Sequence, residues 1–96
     1  MTPPFSVRTT PHFDRLLTKL TKHQPDLVER YAEAIEILKA DPQNLRRAHN
    51  IGKLEGVRPG EGQYRLRLGR WRFRYDIFGR EVWLFRCGLR REVTYR

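Results

Sequence analysis

Apolar residues recur along this chain with two different periods, and the change of period divides it. Residues Phe5 to Thr9 alternate apolar and polar, the pattern of a strand with one buried face. From Thr10-Pro11 the period lengthens. Thr10 is suited to cap the free N–H groups of a first helical turn, and Pro11 to occupy the first helical position. Phe13, Leu16, Leu17 and Leu20 then share a helical face, which predicts a helix from about Pro11 to Lys22. Pro25-Asp26 opens a second helix, with Leu27, Tyr31, Ala34, Ile35 and Leu38 on one face. It ends at Asp41-Pro42, because proline disfavours helix in the residue before it. Both apolar stripes read as the core side of a helical hairpin.

Between Pro42 and Gly62 the periodicity is weak. Gly52, Gly56, Pro59, Gly60 and Gly62 interrupt any long element, and Leu54 is expected to plug the core from this connector. Alternation then returns. Tyr64, Leu66 and Leu68 face one way, Arg65 and Arg67 the other. Gly69 permits a turn. Trp71, Phe73, Tyr75 and Ile77 face one way; Arg70, Arg72, Arg74 and Asp76 face the other. Phe78-Gly79-Arg80 marks a further turn. Val82 to Cys87 is nearly all apolar, which predicts a strand buried on both faces. The predicted order is β-α-α-β-β-β in a single α+β domain over residues 1–96. One sheet face must bury against the helices. Alternation leaves Arg65, Arg67, Arg72 and Arg74 together on the other.

Charge sharpens this picture. The net charge is +9, from 20 basic and 11 acidic residues among 96. Sixteen of the basic residues are arginine, whose planar fork matches phosphate and stacks on bases better than lysine does. Residues 1–56 carry a net charge of +2 and residues 57–96 a net charge of +7. A one-sided arginine excess points to a polyanion or an acidic protein partner. Cys87 is the single cysteine, so the chain can form no internal disulfide, and a reducing compartment fits. There is no apolar signal core and no stretch of membrane-spanning length, so the expectation is a cytoplasmic protein with no membrane role.

Four arginines on an open face repel one another, so a negative partner is expected there. Guanidinium groups can clamp successive phosphates, and Trp83, Phe78 or Tyr95 can stack on unpaired bases. The plainer alternative is a solvated face with ion pairs to Glu61, Asp76 or Glu81, but these acids are few. His12, His23 and His49 are scattered without metal-ligand spacing, and no metal or other cofactor is expected. Ser6 is the only serine and has no histidine near it in sequence, which speaks against a serine hydrolase. Gly60-Glu61-Gly62 is too short for a phosphate loop. RNA, by contrast, carries its own nucleophile, the 2′-hydroxyl. The protein need only align it, neutralise developing charge and manage protons. Arginine is too basic to take a proton. Tyr95, flanked by Arg90, Arg91 and Arg96, reads either as a proton carrier or as an aromatic packed on the sheet.

At these residues the chain resembles the RelE/ParE superfamily of toxins from type II toxin–antitoxin systems. The resemblance runs from Phe13 through Leu38, Asp41-Pro42 and Lys53-Leu54-Glu55-Gly56. It continues in Tyr64-Arg65-Leu66-Arg67 and Gly69-Arg70-Trp71-Arg72-Phe73-Arg74-Tyr75, and ends in Arg90-Arg91-Glu92-Val93 with Tyr95-Arg96. It implies a twisted antiparallel sheet with a helical hairpin on one face. In the RelE-like branch it further implies an endoribonuclease that enters the ribosomal A site, cuts mRNA through 2′-hydroxyl attack and inhibits translation. The catalytic positions of that branch fall on Arg65, Arg67, Arg72, Arg90 and, with a one-residue offset, Tyr95. RNA binding would use Arg65, Arg67, Arg70, Arg72, Arg74 and Arg91. Relatives often carry lysine at the positions of Arg65 and Arg67. The resemblance also implies a cognate antitoxin with an acidic wrapping segment. Two alternatives stay open: a ParE-like non-enzymatic inhibitor of DNA gyrase, and a basic protein-binding module.

Overall fold

A computed structural model describes residues 4–89. The chain runs through strand β1 (Ser6–Thr9), helices α1 (Pro11–His23) and α2 (Asp26–Ala40), and strands β2 (Ile51–Lys53), β3 (Tyr64–Leu68), β4 (Trp71–Phe78) and β5 (Glu81–Leu89). Helix α1 starts where the capping signal places it. The Thr10 hydroxyl accepts from the Phe13 N–H at 3.1 Å, and Pro11 follows in the first turn. Helix α2 stops at Asp41. Its buried carboxylate accepts from the N–H groups of Leu45 and Arg46, both at 2.9 Å, and so organises the chain that leaves the helix. Burial opposes the charged form of Asp41, but these two backbone donors outweigh it and hold the carboxyl below its ordinary range.

The five strands form one sheet in the order β1-β5-β4-β3-β2. Strands β3 to β5 pair antiparallel, as expected, and β2 adds to β3 antiparallel, while β1 lies parallel to β5 at the edge. The parallel pair follows from the connection, since the helical hairpin returns the chain across one sheet face before β2 begins. Leu66, Trp71, Phe73, Tyr75, Val82, Leu84 and Cys87 point to that face and bury against Phe13, Leu27, Ala34, Ile37 and Leu38. Tyr75 is fully buried, yet its hydroxyl is satisfied by donating to the Pro42 carbonyl at 2.6 Å.

Three expectations need correction. The connector contains the short strand β2, whose Ile51 pairs with Leu66 and packs on the core. Leu54 is only partly buried and lies outside that core; its backbone N–H donates to the Gln63 carbonyl at 2.7 Å. Strand β5 is not buried on both faces. The ladder shifts register between Arg74 and Tyr75, with Tyr75 opposite Leu84 and Arg74 opposite Arg86. Phe85 is the extra residue of a bulge. The bulge sends both Leu84 and Cys87 to the core and leaves Arg86 exposed on the other face.

Candidate nucleic-acid interface

Strand register gathers the arginines. Arg65 lies opposite Arg74 and Arg67 opposite Arg72 across β3 and β4. Across β4 and β5, Arg74 lies opposite Arg86 and Arg72 opposite Gly88. Arg65, Arg67, Arg72, Arg74 and Arg86 therefore share the sheet face away from the helices. Glycine sits at both margins of the group. Gly52, opposite Arg65 on β2, would place a Cβ only 3.0 Å from the Arg65 Nη2, so its missing side chain makes room for that guanidinium. Arg65 Nε is buried and makes no hydrogen bond within the described residues, and its Nη2 reaches Asn50 Oδ1 only at 3.5 Å. A guanidinium held this loosely retains donors for an incoming anion.

The arginines of this face differ in what they already hold. Arg74 is buried, and its Nε and Nη2 donate to the Gly62 carbonyl at 3.1 and 2.8 Å. Burial, and then the neighbouring Arg86, lower its pKa. Beside it, Asp76 is 1% exposed and accepts from three backbone N–H groups: Gly60 and Gln63 at 2.8 Å and Gly62 at 2.9 Å. Arg74 and Asp76 thus clamp the end of the connector against β4. Gly62 has a φ of +85°, and a Cβ there would meet the Arg74 Cβ at 2.9 Å, so the clamp closes only over glycine. Arg72 is also largely buried, at 6% exposure, whereas Arg65 and Arg67 are partly open.

Arg70 does not share this face, contrary to the alternation. It sits in the β3–β4 turn and forks onto Asp26 at the start of α2, with Nε at 3.1 Å and Nη2 at 2.8 Å. The Trp71 indole N–H donates to the same carboxylate at 2.9 Å, and the Arg70 guanidinium lies 5.2 Å from the Trp71 ring centroid. The Arg70 hydrogen bond, followed by that from Trp71, draws the Asp26 pKa down to about 2. Arg70 is therefore a tie between sheet and helix. Arg90, Arg91 and Tyr95 lie outside the described residues.

At its other end the face turns aromatic. Register places Trp83 beside Arg8 on β1 and opposite Asp76 on β4. The Trp83 indole donates to Glu81 at 3.2 Å, and Glu81 pairs with Arg8 at 2.7 Å. Phe78 is 45% exposed. Past the end of β1, a cleft of about 480 Å³ opens between the connector and the start of α1. Its lining includes Thr10, His12, Glu61, Arg74, Phe85 and Arg86. Sequence reasoning missed Arg86, because the bulge that turns it outward leaves no mark in a run of apolar residues. Among the described residues no group of His, Cys, Asp and Glu is arranged to hold a metal ion, and no helix is long and apolar enough to cross a membrane. Burial pushes the Cys87 thiol up to about 12, which makes it a core group rather than a nucleophile.

No protein-family model and no curated protein sequence matches the chain. Solved structures do. A chain of the archaeal RelE–RelB complex from Pyrococcus horikoshii OT3 superposes with a TM-score of 0.67 at 24% identity, over 91% of this chain and 96% of that one. A chain of the RelB–RelE antitoxin–toxin complex from Methanococcus jannaschii gives a TM-score of 0.60 at 22% identity, over 90% of this chain and 93% of that one. The two-helix, five-stranded α+β architecture described above is a RelE-like fold.

Proposed function

We propose that this protein is the toxin of a type II toxin–antitoxin system, an endoribonuclease that cuts mRNA in the ribosomal A site and so inhibits translation in the cytoplasm. The observation that carries the reading is the arginine face. Arg65, Arg67, Arg72 and Arg86 stand together on a sheet face that the helices leave open. Such a group neutralises successive phosphates and the charge that develops on phosphorus when a 2′-hydroxyl attacks. Trp83 and Phe78 offer stacking surfaces for bases along the same face. The likeness to chains of RelE–RelB complexes supports the reading through the fold, and supports a cognate antitoxin as partner. An acidic antitoxin segment would cover the face in the resting complex.

Within this reading Arg65, Arg67 and Arg72 grip the phosphates around the scissile bond, joined by Arg90 and Arg91 from the tail. Tyr95 is proposed to join them at the scissile bond. Arg70 and Arg74 are assigned away from the RNA, because their described hydrogen bonds hold Asp26, Gln24 and the Gly62 carbonyl. The test is expression of the chain alone and with its antitoxin. Alone, it should arrest growth, and primer extension should map breaks inside translated codons. Co-expression should restore growth. Intact transcripts in arrested cells would remove the ribonuclease reading.

A further inference from the structure

An arginine face stabilises charge but cannot exchange protons, since the guanidinium pKa lies far above neutrality. Two groups of the right chemistry border that face. His12, in the first turn of α1, and Glu61, in the connector, line the cleft whose lining also includes Arg74, Phe85 and Arg86. Both side chains belong to exposed residues, and Arg86, exposed as well, joins them because the β5 bulge turns it outward. The Arg74–Arg86 pair is the next same-face rung of the ladder from Arg72–Gly88, about 7 Å along the strands. Arg74 and Asp76 hold the connector in place, and Glu61 Oε1 also accepts from the Arg58 N–H at 3.2 Å. The carboxylate therefore reaches the cleft on a clamped loop. On the opposite wall, the Thr10 cap fixes the turn that carries His12.

We propose that His12 and Glu61 are the proton-handling pair for RNA cleavage on this face, with Arg86 facing the phosphoryl group between them. The inference rests on the endoribonuclease reading above. Carboxylates as a class are ionised at neutral pH and can only accept a proton, whereas imidazole populates both forms. Glu61 takes the proton from the 2′-hydroxyl as the 2′-oxygen bonds to phosphorus. The bond from phosphorus to the 5′-oxygen breaks, and that oxygen receives a proton from the His12 imidazolium. The products are a 2′,3′-cyclic phosphate and a 5′-hydroxyl, so no water, oxidant or metal enters the step. The polar and charged side chains that line the cleft with His12 are those of Thr10 from its own segment, Glu61 from the connector, Arg74 from β4 and Arg86 from β5.

The test uses the full chain with ribosomes programmed by a defined mRNA. His12→Ala sits in an exposed helical turn, and Glu61→Gln keeps an oxygen for the Arg58 N–H, so both should keep the wild-type circular dichroism. Each should lower the single-turnover cutting rate about 100-fold or more. Each should leave ribosome affinity within about threefold, a small change on the affinity scale. Rates near wild type in either variant overturn the proposal. So does a defect seen only as weaker binding, which would make the pair a docking feature. Full activity in both variants with loss in Tyr95→Phe would place proton transfer in the tail and overturn it as well. Wild-type protein that binds ribosomes but cuts nothing overturns the endoribonuclease reading and this inference together.

Discussion

Asp76 gives its carboxylate to three backbone N–H groups of one loop while almost wholly removed from solvent. Replacing it leaves those donors unmet in a buried place, and hydrogen bonds to a charged acceptor are the stronger kind. Asp76→Ala should therefore cost about 3 kcal/mol in urea unfolding, and the connector amides should lose protection from hydrogen exchange first. Asp26 sets a different test. Its pKa of about 2 lies below the unfolded carboxylate value, near 3.9. The stability it contributes is present above pH ~3.9 and is lost as pH falls towards 2. Asp41 is shifted in the same direction. The urea midpoint should thus fall between pH 4 and pH 2, and Asp26→Asn should flatten part of that fall. An unchanged acid profile in the variant would contradict the Arg70–Asp26 tie. At this scale the sequence showed which residues carry charge, but not which charges are already engaged. Arg70 and Arg74 alternate with the others in the chain, yet one turns to Asp26 and the other to Gly62. Both partners are distant in sequence, so no local pattern announces them.

Elements were legible where a local signal sets their limits. Thr10-Pro11 starts α1 and Asp41-Pro42 closes α2, because capping and proline sterics act within a few residues. Thr10→Ala should lose the bond to the Phe13 N–H and cost about 1 kcal/mol, read as a lower melting temperature. The apolar stripes of both helices also lie on the core, which takes in Ile37 as well, a residue the pattern left out. Strand β2 was hidden because three residues among glycines carry no periodicity; its pairing to β3 is imposed by the sheet. The β5 bulge was hidden for a related reason. Val82 to Cys87 is apolar almost throughout, so a shift of one residue changes no hydrophobic pattern while it changes which way Arg86 faces. Deleting Phe85 removes the extra residue and keeps Leu84 and Cys87 on the core side. The shortened chain should still fold cooperatively, and loss of cooperative unfolding would argue that the bulge itself holds the sheet together.

For the whole molecule, the arginines of β3, β4 and β5 become a surface because these strands are neighbours in one sheet. The helices take the apolar face, and the arginines are left on the other. That division was readable from alternation together with composition. The cleft beside it was not, since its walls come from α1, the connector and β5. Binding through such a face should weaken steeply with salt. Four phosphate contacts on single-stranded RNA give a slope of about −3 in log affinity against log salt. The Arg65→Ala, Arg67→Ala, Arg72→Ala triple variant should lower the magnitude of that slope by about 2. The most direct measurement follows end-labelled mRNA on purified ribosomes after addition of this protein. The expected result is a cut within the A-site codon, leaving a 2′,3′-cyclic phosphate, and little cutting by the triple variant. A message that stays intact at saturating protein, or equal cutting by the triple variant, would contradict it.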